Sequence, residues 1–459
     1  MMSLLSLLLV LLLQLPTTQP LSQTSLESNC GVVSLRVIES IDDTNSATGT
    51  TSTDRTRILC GTKRGDLLQY SWNHEWAKST KTDELDGNFF PFQQKWTIAG
   101  VDSKSFPIYS LATGTNTDRT DPSSTQVFCG GGDRFVSVFS LPVDINETTK
   151  GTESKKHNQE NRGSVLAWTV DQRLGPHTGW VKAVLYDDET NRLHSIGCNC
   201  IETWSLDESY DSSDQVSTTT PETTMMNKKK KQIAPIWKHE KKRSVESSVS
   251  DGSTLSSDLL CLCDSTNSDC FYCGGVDGRL HVWSSNPDVL DPILSTKAHV
   301  GRVNRLLLDN QHGVLFSFGN DGQIQCRFIR ADGVMNPEPS ATITIRDQDT
   351  AQGPLRLTAA AFIPSDNRIA PEQGTAQLVV GTACGLLVFI EVEYGEQGTV
   401  MGLSENGRRY RQKLSGNPVV NALEAFSSMD LSKNESLEMP VVVILVGHSK
   451  GLEQVVVVV

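Results

Sequence analysis

Short apolar runs alternate with polar, glycine-containing turns along most of the chain. Residues 269–284, DCFYCGGVDGRLHVWS, show the pattern in its clearest form. An apolar run ends at Cys273, a glycine-rich turn follows, and apolar residues resume at Leu280. An Asp-Gly pair between two apolar runs is typical of a β-hairpin, because glycine adopts the positive φ of a tight turn without a Cβ clash. This stretch therefore predicts two strands joined by a tight turn.

The same hairpin pattern recurs along the chain. It is found in residues 57–72, 126–141, 192–206, 314–329, 377–392 and 441–456. These segments align on the residue that ends the first strand, at Cys60, Cys129, Ser195, Cys273, Ser317, Val380 and Val446. Self-similarity at intervals of roughly 40 to 50 residues is typical of a propeller or a solenoid.

These hairpins resemble the second and third strands of WD40 blades. Residues 177–204, HTGWVKAVLYDDETNRLHSIGCNCIETW, are similar to a whole WD40 unit, and His299 opens the same arrangement in the fifth unit. The resemblance extends over nearly everything after Cys30. It implies an all-β, seven-bladed WD40-like propeller over residues 30–459, with polar loop insertions. Each blade would have four strands, named a to d from the ring axis outward.

The resemblance also implies a role for specific side chains. WD40 blades carry a structural tetrad of His, Ser, Asp and Trp that fixes the turn between strands b and c. The matching residues here are His177, Ser195 and Trp204 in unit three, Asp277 and Trp283 in unit four, and His299, Ser317 and Asp321 in unit five. No unit has the full tetrad, since Asn199, Cys273 and Arg327 replace the Asp, Ser and Trp in turn. We expect these residues to be structural and the blades to differ in rigidity.

Polar tracts interrupt the repeats. Residues 207–232 and 240–257 are rich in Ser, Thr and charged residues and lack the apolar side chains needed to order themselves, so we expect disordered insertions. Most insertions fall between strands a and b or between c and d, which would leave the face of the b–c turns flat. The chain ends on a strand c. Residues 21–29 are the segment available to close the last blade, and they predict a poor strand. An alternative is an open edge completed by a partner.

The first residues form a separate segment. Residues 1–20 contain an apolar run from Leu4 to Leu13, which has the length of a signal-peptide core and is too short to span a bilayer. We interpret them as a targeting segment, the alternatives being a misplaced start or a buried strand. The sequons at Asn146 and Asn434 are candidate glycosylation sites if the chain enters the secretory lumen.

The number and placement of the cysteines and the net charge limit which cellular compartments and which partners are expected. The 11 cysteines are odd in number and mostly lie inside predicted strands, which indicates reduced core thiols. A leader followed by free thiols favours the secretory route with a plastid or secretory destination, and residues 177–204 also resemble WD40 proteins of plastid-bearing organisms. The alternative is cytoplasm or nucleus if the leader is not functional. The net charge of −13 argues against nucleic-acid binding.

Two cysteine groups are the strongest candidates for chemistry. Cys261 and Cys263 precede Cys270 and Cys273, but the odd spacing of the second pair directs its side chains to opposite faces of a strand. We therefore predict no metal site there, and no cofactor or catalytic residue elsewhere. The turn residues Cys198 and Cys200 are the best candidates for exposed thiols.

The sequence therefore predicts a non-catalytic scaffold that binds other proteins in a multiprotein complex. One alternative is an RNA-processing adaptor resembling the small WD40 subunit of the mRNA-export THO assembly. Another is a propeller enzyme, which the innermost strands oppose because they offer few carboxylates or histidines.

Overall fold

The computed structural model describes residues 23–26, 31–38, 55–73, 106–115, 125–140, 170–206, 236–248, 254–256, 258–264, 269–347, 353–363, 375–395, 400–405, 411–414, 416–427 and 441–458. Within these ranges the regular secondary structure consists of β-strands alone, which confirms the predicted all-β class. No helix in the described part of the chain is long and apolar enough to cross a membrane.

The described strands form eight sheets, of which seven are the blades and one is a separate hairpin, and they are numbered in chain order. β1 (Gln23–Leu26) belongs to the last blade. Blade 1 contains β2 (Val32–Ile38), β3 (Arg55–Thr62) and β4 (Leu67–Asn73). Blade 2 contains β5 (Ile108–Thr115), β6 (Thr125–Gly131), β7 (Val136–Ser140) and β8 (Val170–Leu174). Blade 3 contains β9 (Val181–Asp187), β10 (Arg192–Gly197), β11 (Cys200–Leu206) and β12 (Trp237–Ser244).

The second half of the ring repeats this plan. A separate hairpin, β13 (Glu246–Ser248) and β14 (Thr254–Ser256), precedes blade 4. Blade 4 contains β15 (Leu259–Asp264), β16 (Cys270–Gly275), β17 (Arg279–Ser284) and β18 (Leu294–Lys297). Blade 5 contains β19 (Val303–Asp309), β20 (Val314–Gly319), β21 (Gln323–Phe328) and β22 (Ala341–Thr344). Blade 6 contains β23 (Leu357–Ile363), β24 (Thr375–Thr382), β25 (Leu386–Tyr394), β26 (Val400–Glu405) and β27 (Arg411–Lys413). Blade 7 contains β28 (Val420–Ser427), β29 (Val441–His448), β30 (Gly451–Val458) and β1.

The innermost strands close into a ring. Each contacts the next in the order β2, β5, β9, β15, β19, β23 and β28, and β28 contacts β2. The apolar core is divided accordingly into seven clusters, each filling the space between two neighbouring blades. Because each sheet buries both faces against its neighbours, apolar burial at about 25 cal/mol per Å² holds every blade in place. The predicted seven-bladed propeller is confirmed.

The ring is completed by the N-terminal segment. β1 pairs antiparallel with β30, from Gln23 opposite Val455 to Leu26 opposite Leu452. Blade 7 therefore has four strands, and the alternative of an open edge awaiting a partner is wrong. The composition of residues 21–29 predicted a poor strand, but an edge strand depends chiefly on backbone hydrogen bonds that any residue except proline supplies.

Every innermost strand carries a β-bulge at its second residue. The register of strand a against strand b skips one residue in all seven blades: Val33, Tyr109, Lys182, Leu260, Asn304, Thr358 and Asn421. A bulge leaves its extra residue out of the ladder and bends the strand. The skipped residues all line the central channel, where they are available for other contacts.

The b–c turns follow a common backbone. Gly65, Gly278, Gly322 and Gly385 have φ values of 85°, 78°, 77° and 77° in the turns of blades 1, 4, 5 and 6. At Gly278 a Cβ would lie 2.2 Å from the oxygen of His299, so glycine is required there for space as well as for φ. Arg134 adopts the same left-handed conformation in blade 2, with φ 70°.

The structure differs from the sequence prediction in one insertion. Residues 240–257 were expected to be disordered, but residues 240–244 extend β12, and the hairpin of β13 and β14 follows. Residues 1–20 and 207–232, together with Asn146 and Asn434, lie outside the described residues.

Candidate functional site

Blade 5 assembles all three of its predicted turn-fixing residues. His299 precedes β19, and its Nε2 lies 2.9 Å from Ser317 Oγ while its Nδ1 lies 3.0 Å from Asp321 Oδ1. Asp321 also accepts the N–H of Val300 at 2.9 Å. Burial alone would raise the pKa of Asp321, but the hydrogen bonds from His299 and Val300 lower it. These bonds fix the turn, as the tetrad role requires.

Blade 3 fixes its turn by a different route. His177 Nε2 lies 2.7 Å from Ser195 Oγ, which also accepts the Trp204 Nε1 hydrogen at 3.0 Å. In place of an Asp, the backbone oxygen of Arg134 in blade 2 lies 3.2 Å from His177 Nδ1. Burial lowers the pKa of His177 to about 4, so the ring is neutral at pH 7. The missing carboxylate is replaced by a contact between blades.

In blade 4 the two predicted residues do not meet. Asp277 Oδ1 accepts the backbone N–H of Arg279 at 3.0 Å within the turn. Trp283 is fully buried, and its Nε1 has no hydrogen-bond partner among the described residues. Cys273, at the Ser position, is also fully buried. Blade 4 is therefore held by packing and lacks the histidine-centred network.

The seam between blades 3 and 4 buries polar groups that sequence reasoning missed. His194, Arg243 and His281 are each 1% exposed. Arg243 donates to Ser284 O at 2.7 Å and to Thr203 Oγ1 at 3.2 Å. Among the described atoms, His194 Nε2, Arg243 Nε and both nitrogens of His281 have no hydrogen-bond partner. Burial lowers the pKa of His194 to about 3 and that of His281 to about 4. The sequence feature that could have revealed these residues is the alternation of side chains along a strand, which directs them into the space between the two blades.

The cysteines that the structure describes are free, and most of them are buried. Burial raises the pKa of Cys261 and of Cys263 to about 12, which keeps both as thiols. Among the described residues, no three His, Cys, Asp or Glu side chains are grouped so that they could hold a metal. Of the predicted exposed pair, Cys200 is buried and Cys198 half-buried, while Cys384 is exposed.

One face of the ring exposes apolar side chains. We call the surface made by the b–c turns and the d–a connections the turn face. It presents Phe106, Trp180, Val276, Val300 and Val419, of which Val300 is 86% and Trp180 54% exposed. The other exposed large apolar residues described are Ile236, Val289, Leu290 and Ile293, which lie in the c–d connections at the opposite ends of the strands.

An aromatic and cationic group lies where the turn face meets the channel. The rings of Tyr109 and Trp180 stack with centroids 5.8 Å apart. Lys182 Nζ lies 3.7 Å from the Tyr109 centroid and 4.6 Å from the Trp180 centroid. Burial lowers the pKa of Lys182. Tyr109 and Lys182 are both bulge residues, so the bulges position this group.

The central channel is the cavity that the innermost strands enclose, with a volume of about 380 Å³. Its wall carries three cations, Arg36, Lys182 and Arg305, and two carboxylates, Asp264 and Glu424. Burial raises the pKa of Glu424, while the charges of Arg36 and Arg305 lower it in part. Among the described wall residues the acidic side chains are Asp264 and Glu424, and the sequence prediction overlooked the cations.

Comparisons with known proteins place the fold. No family model and no curated protein matches the chain. Among solved structures, the chain is similar to the WD40 β-propeller domain of Doa1, with a TM-score of 0.50, 11% identity and 96% of each chain covered. It is also similar to the WD40 repeats of RRP9, with a TM-score of 0.53, 11% identity, and 96% of this chain and 98% of that one covered. With its seven blades, the chain therefore has the fold of a divergent WD40 β-propeller.

Proposed function

We propose that this protein is a non-catalytic scaffold whose protein partner docks on the turn face. The observation that supports this most directly is the set of exposed apolar residues there, led by Trp180 and Val300. Exposed aromatic and aliphatic side chains beside a rigid frame are typical of protein-binding surfaces. The similarity to WD40 propellers agrees with such a role.

The chemistry of the described residues favours binding over catalysis. Both ring nitrogens of His177 and of His299 form contacts that fix turns. Ser195 and Ser317 are fully buried, so neither could reach a substrate carbonyl as a nucleophile. These residues support the scaffold rather than a propeller enzyme.

The docking surface is tested by paired charge substitutions. Val300→Asp places a carboxylate on the turn face, whereas Leu290→Asp places one at a residue that is 51% exposed on the other side of the ring. Tagged full-length chains are purified from cells, and co-purifying proteins are quantified by mass spectrometry. We expect Val300→Asp to lose proteins that the wild type and Leu290→Asp retain. Equal recovery by all three chains would contradict docking on the turn face.

We further propose that the chain enters the secretory route. The apolar run at the N-terminus and the sequons at Asn146 and Asn434 support this proposal. In cells, the full-length chain should shift in mobility on endoglycosidase treatment, and Asn146→Gln with Asn434→Gln should abolish the shift. A nuclear tagged chain without glycan would contradict entry and favour the adaptor alternative.

A further inference from the structure

The central channel departs in charge from the chain as a whole. The chain carries a net charge of −13, yet the channel wall has three cations against two carboxylates. Lys182 is the second residue of its strand, Arg305 the third and Arg36 the fifth, counted from the turn face. At about 3.3 Å per residue, the three cations therefore span about 10 Å along the channel.

Arg36 and Arg305 form no close ion pair with a described residue, although the charges of both act on Glu424 across the channel. Both side chains are exposed to the cavity. A guanidinium presents a planar set of donors that matches a carboxylate or a phosphate. Two such groups facing a narrow, partly desolvated space create a positive potential that attracts an anion. The arginines are therefore placed to bind an oxyanion.

The entrance to the channel determines how such an anion would arrive. Trp180 and Tyr109 form an apolar wall at the turn face, and Lys182, which lines the cavity, places its ammonium over both rings. A cavity of about 380 Å³ admits side chains or a short extended segment but not a folded domain. The entrance suits a peptide that carries an apolar residue beside an anionic one.

We propose that the channel binds an anionic oxygen group, a carboxylate or a phosphate, carried on an extended peptide segment of the partner that docks on the turn face. Lys182 meets the group at the entrance, and Arg305 and Arg36 hold it deeper in the channel. Glu424 opposes binding, because its side chain competes for the same two arginines. This proposal rests on the proposed docking function and specifies the chemistry of the partner.

The test measures peptide binding to the full-length chain by fluorescence polarisation. The probes are a labelled oligoglutamate peptide, a phosphoserine peptide and an oligoglutamine peptide, each with one tryptophan at its end, and inorganic phosphate is the competitor. We expect the two anionic peptides to bind and the glutamine peptide not to bind. The stronger of the two anionic peptides identifies carboxylate or phosphate as the source.

Substitutions locate the site. Arg36→Gln and Arg305→Gln should each weaken anionic-peptide binding roughly five- to tenfold, as loss of one charge-assisted hydrogen-bond partner does. Arg330→Gln is the matched control and should leave binding unchanged. Arg330 is an exposed arginine that pairs with Asp332 outside the channel. Glu424→Gln should strengthen binding, a gain that misfolding does not produce.

Several results would overturn the proposal. The first is equal affinity for the glutamine peptide and the anionic peptides. The second is wild-type affinity in the double variant Arg36→Gln, Arg305→Gln. The third is that inorganic phosphate displaces the peptide and binds as tightly as the anionic peptide does. If Val300→Asp still loses a partner in that case, docking on the turn face stands and only the channel assignment fails. If Val300→Asp loses none, the docking proposal fails as well.

Discussion

Asn421 Nδ2 donates a hydrogen bond of 2.7 Å to the backbone oxygen of Val32, which ties the innermost strand of the last blade to that of the first. Asn304 makes the equivalent bond to the oxygen of Leu357 at 2.6 Å, between blades 5 and 6. Both asparagines are bulge residues, left out of strand pairing in their own blades. The bulge therefore frees a side chain that joins neighbouring blades.

Asn421→Ala should destabilise the ring at its closing seam. The substitution leaves the Val32 oxygen without this partner, which costs about 1–3 kcal/mol in a partly buried position. Urea denaturation at neutral pH measures the change in the free energy of unfolding. Thr358→Val is the matched control, since Thr358 occupies the same bulge position and its hydroxyl donates to Gly381 O within its own blade. Equal losses in the two variants would contradict a special role for the bond between blades.

The pairing of β1 with β30 predicts a sharp boundary for N-terminal truncation. Removing residues 1–20 leaves β1 intact, so stability and monodispersity should match the full chain. Removing residues 1–29 deletes β1 and exposes the edge of β30, which should lower the melting temperature and promote association. Differential scanning calorimetry and size-exclusion chromatography measure the two effects. Identical behaviour of the two truncations would show that β1 does not close the ring.

The buried histidines predict loss of stability in mild acid. Burial lowers the pKa of His281 to about 4, from 6.5 in the unfolded chain. The folded state therefore binds fewer protons than the unfolded state between these values, so stability is complete above about pH 6.5 and falls as the pH drops toward 4. His281→Leu removes this contribution and should reduce the pH dependence of the free energy of unfolding. An unchanged slope between about pH 7 and pH 5 would refute the assignment.

The turn of blade 5 should depend on its aspartate more than the turn of blade 4 does. Asp321 bonds His299 and the backbone N–H of Val300, whereas Asp277 occupies the matching position in a blade without the histidine. Asp321→Ala should cost about 1–3 kcal/mol, and Asp277→Ala clearly less. Hydrogen exchange should also accelerate at residues 320–322 in the first variant. A larger loss for Asp277→Ala would contradict the turn-fixing role.

Thiol labelling should distinguish the cysteines by burial. Among those described, Cys384 is exposed and Cys198 half-buried, whereas the core cysteines such as Cys60 and Cys273 are buried. Under native conditions we expect fast reaction at Cys384, slower reaction at Cys198 and protection of the core thiols until the chain unfolds. Mass spectrometry of alkylated peptides assigns each rate. Fast labelling of Cys273 would contradict a packed blade 4.

The repeated hairpins, together with their resemblance to WD40 blades, predicted the propeller and its blade count, because their turns depend on local residues such as the glycine at 278. The same alignment placed His299, Ser317 and Asp321, which the structure brings within hydrogen-bond distance. The composition of residues 21–29 led us to expect a poor strand, so the closure of blade 7 by β1 was only weakly supported by the sequence. An edge strand can be held by its backbone even when its side chains favour other conformations.

Contacts between blades were beyond the reach of sequence patterns. The acceptor for His177 is a backbone oxygen, that of Arg134 in another blade, and no residue type signals such a bond. The channel charges were missed because Arg36 and Arg305 belong to separate repeats and meet Glu424 only once the ring closes. Residues that converge in this way require a known topology.

The bulge at the second position of each innermost strand separates the residues that form the strand pairing from the residues that a ligand in the channel would contact. Strand pairing places few demands on Val33, Tyr109, Lys182, Leu260, Asn304, Thr358 and Asn421, because the ladder bypasses them. Asn304 and Asn421 join neighbouring blades and should be kept. The other bulge positions can be varied together in a library of variants while the fold is retained. The propeller thereby offers a ready template for selecting new channel specificities.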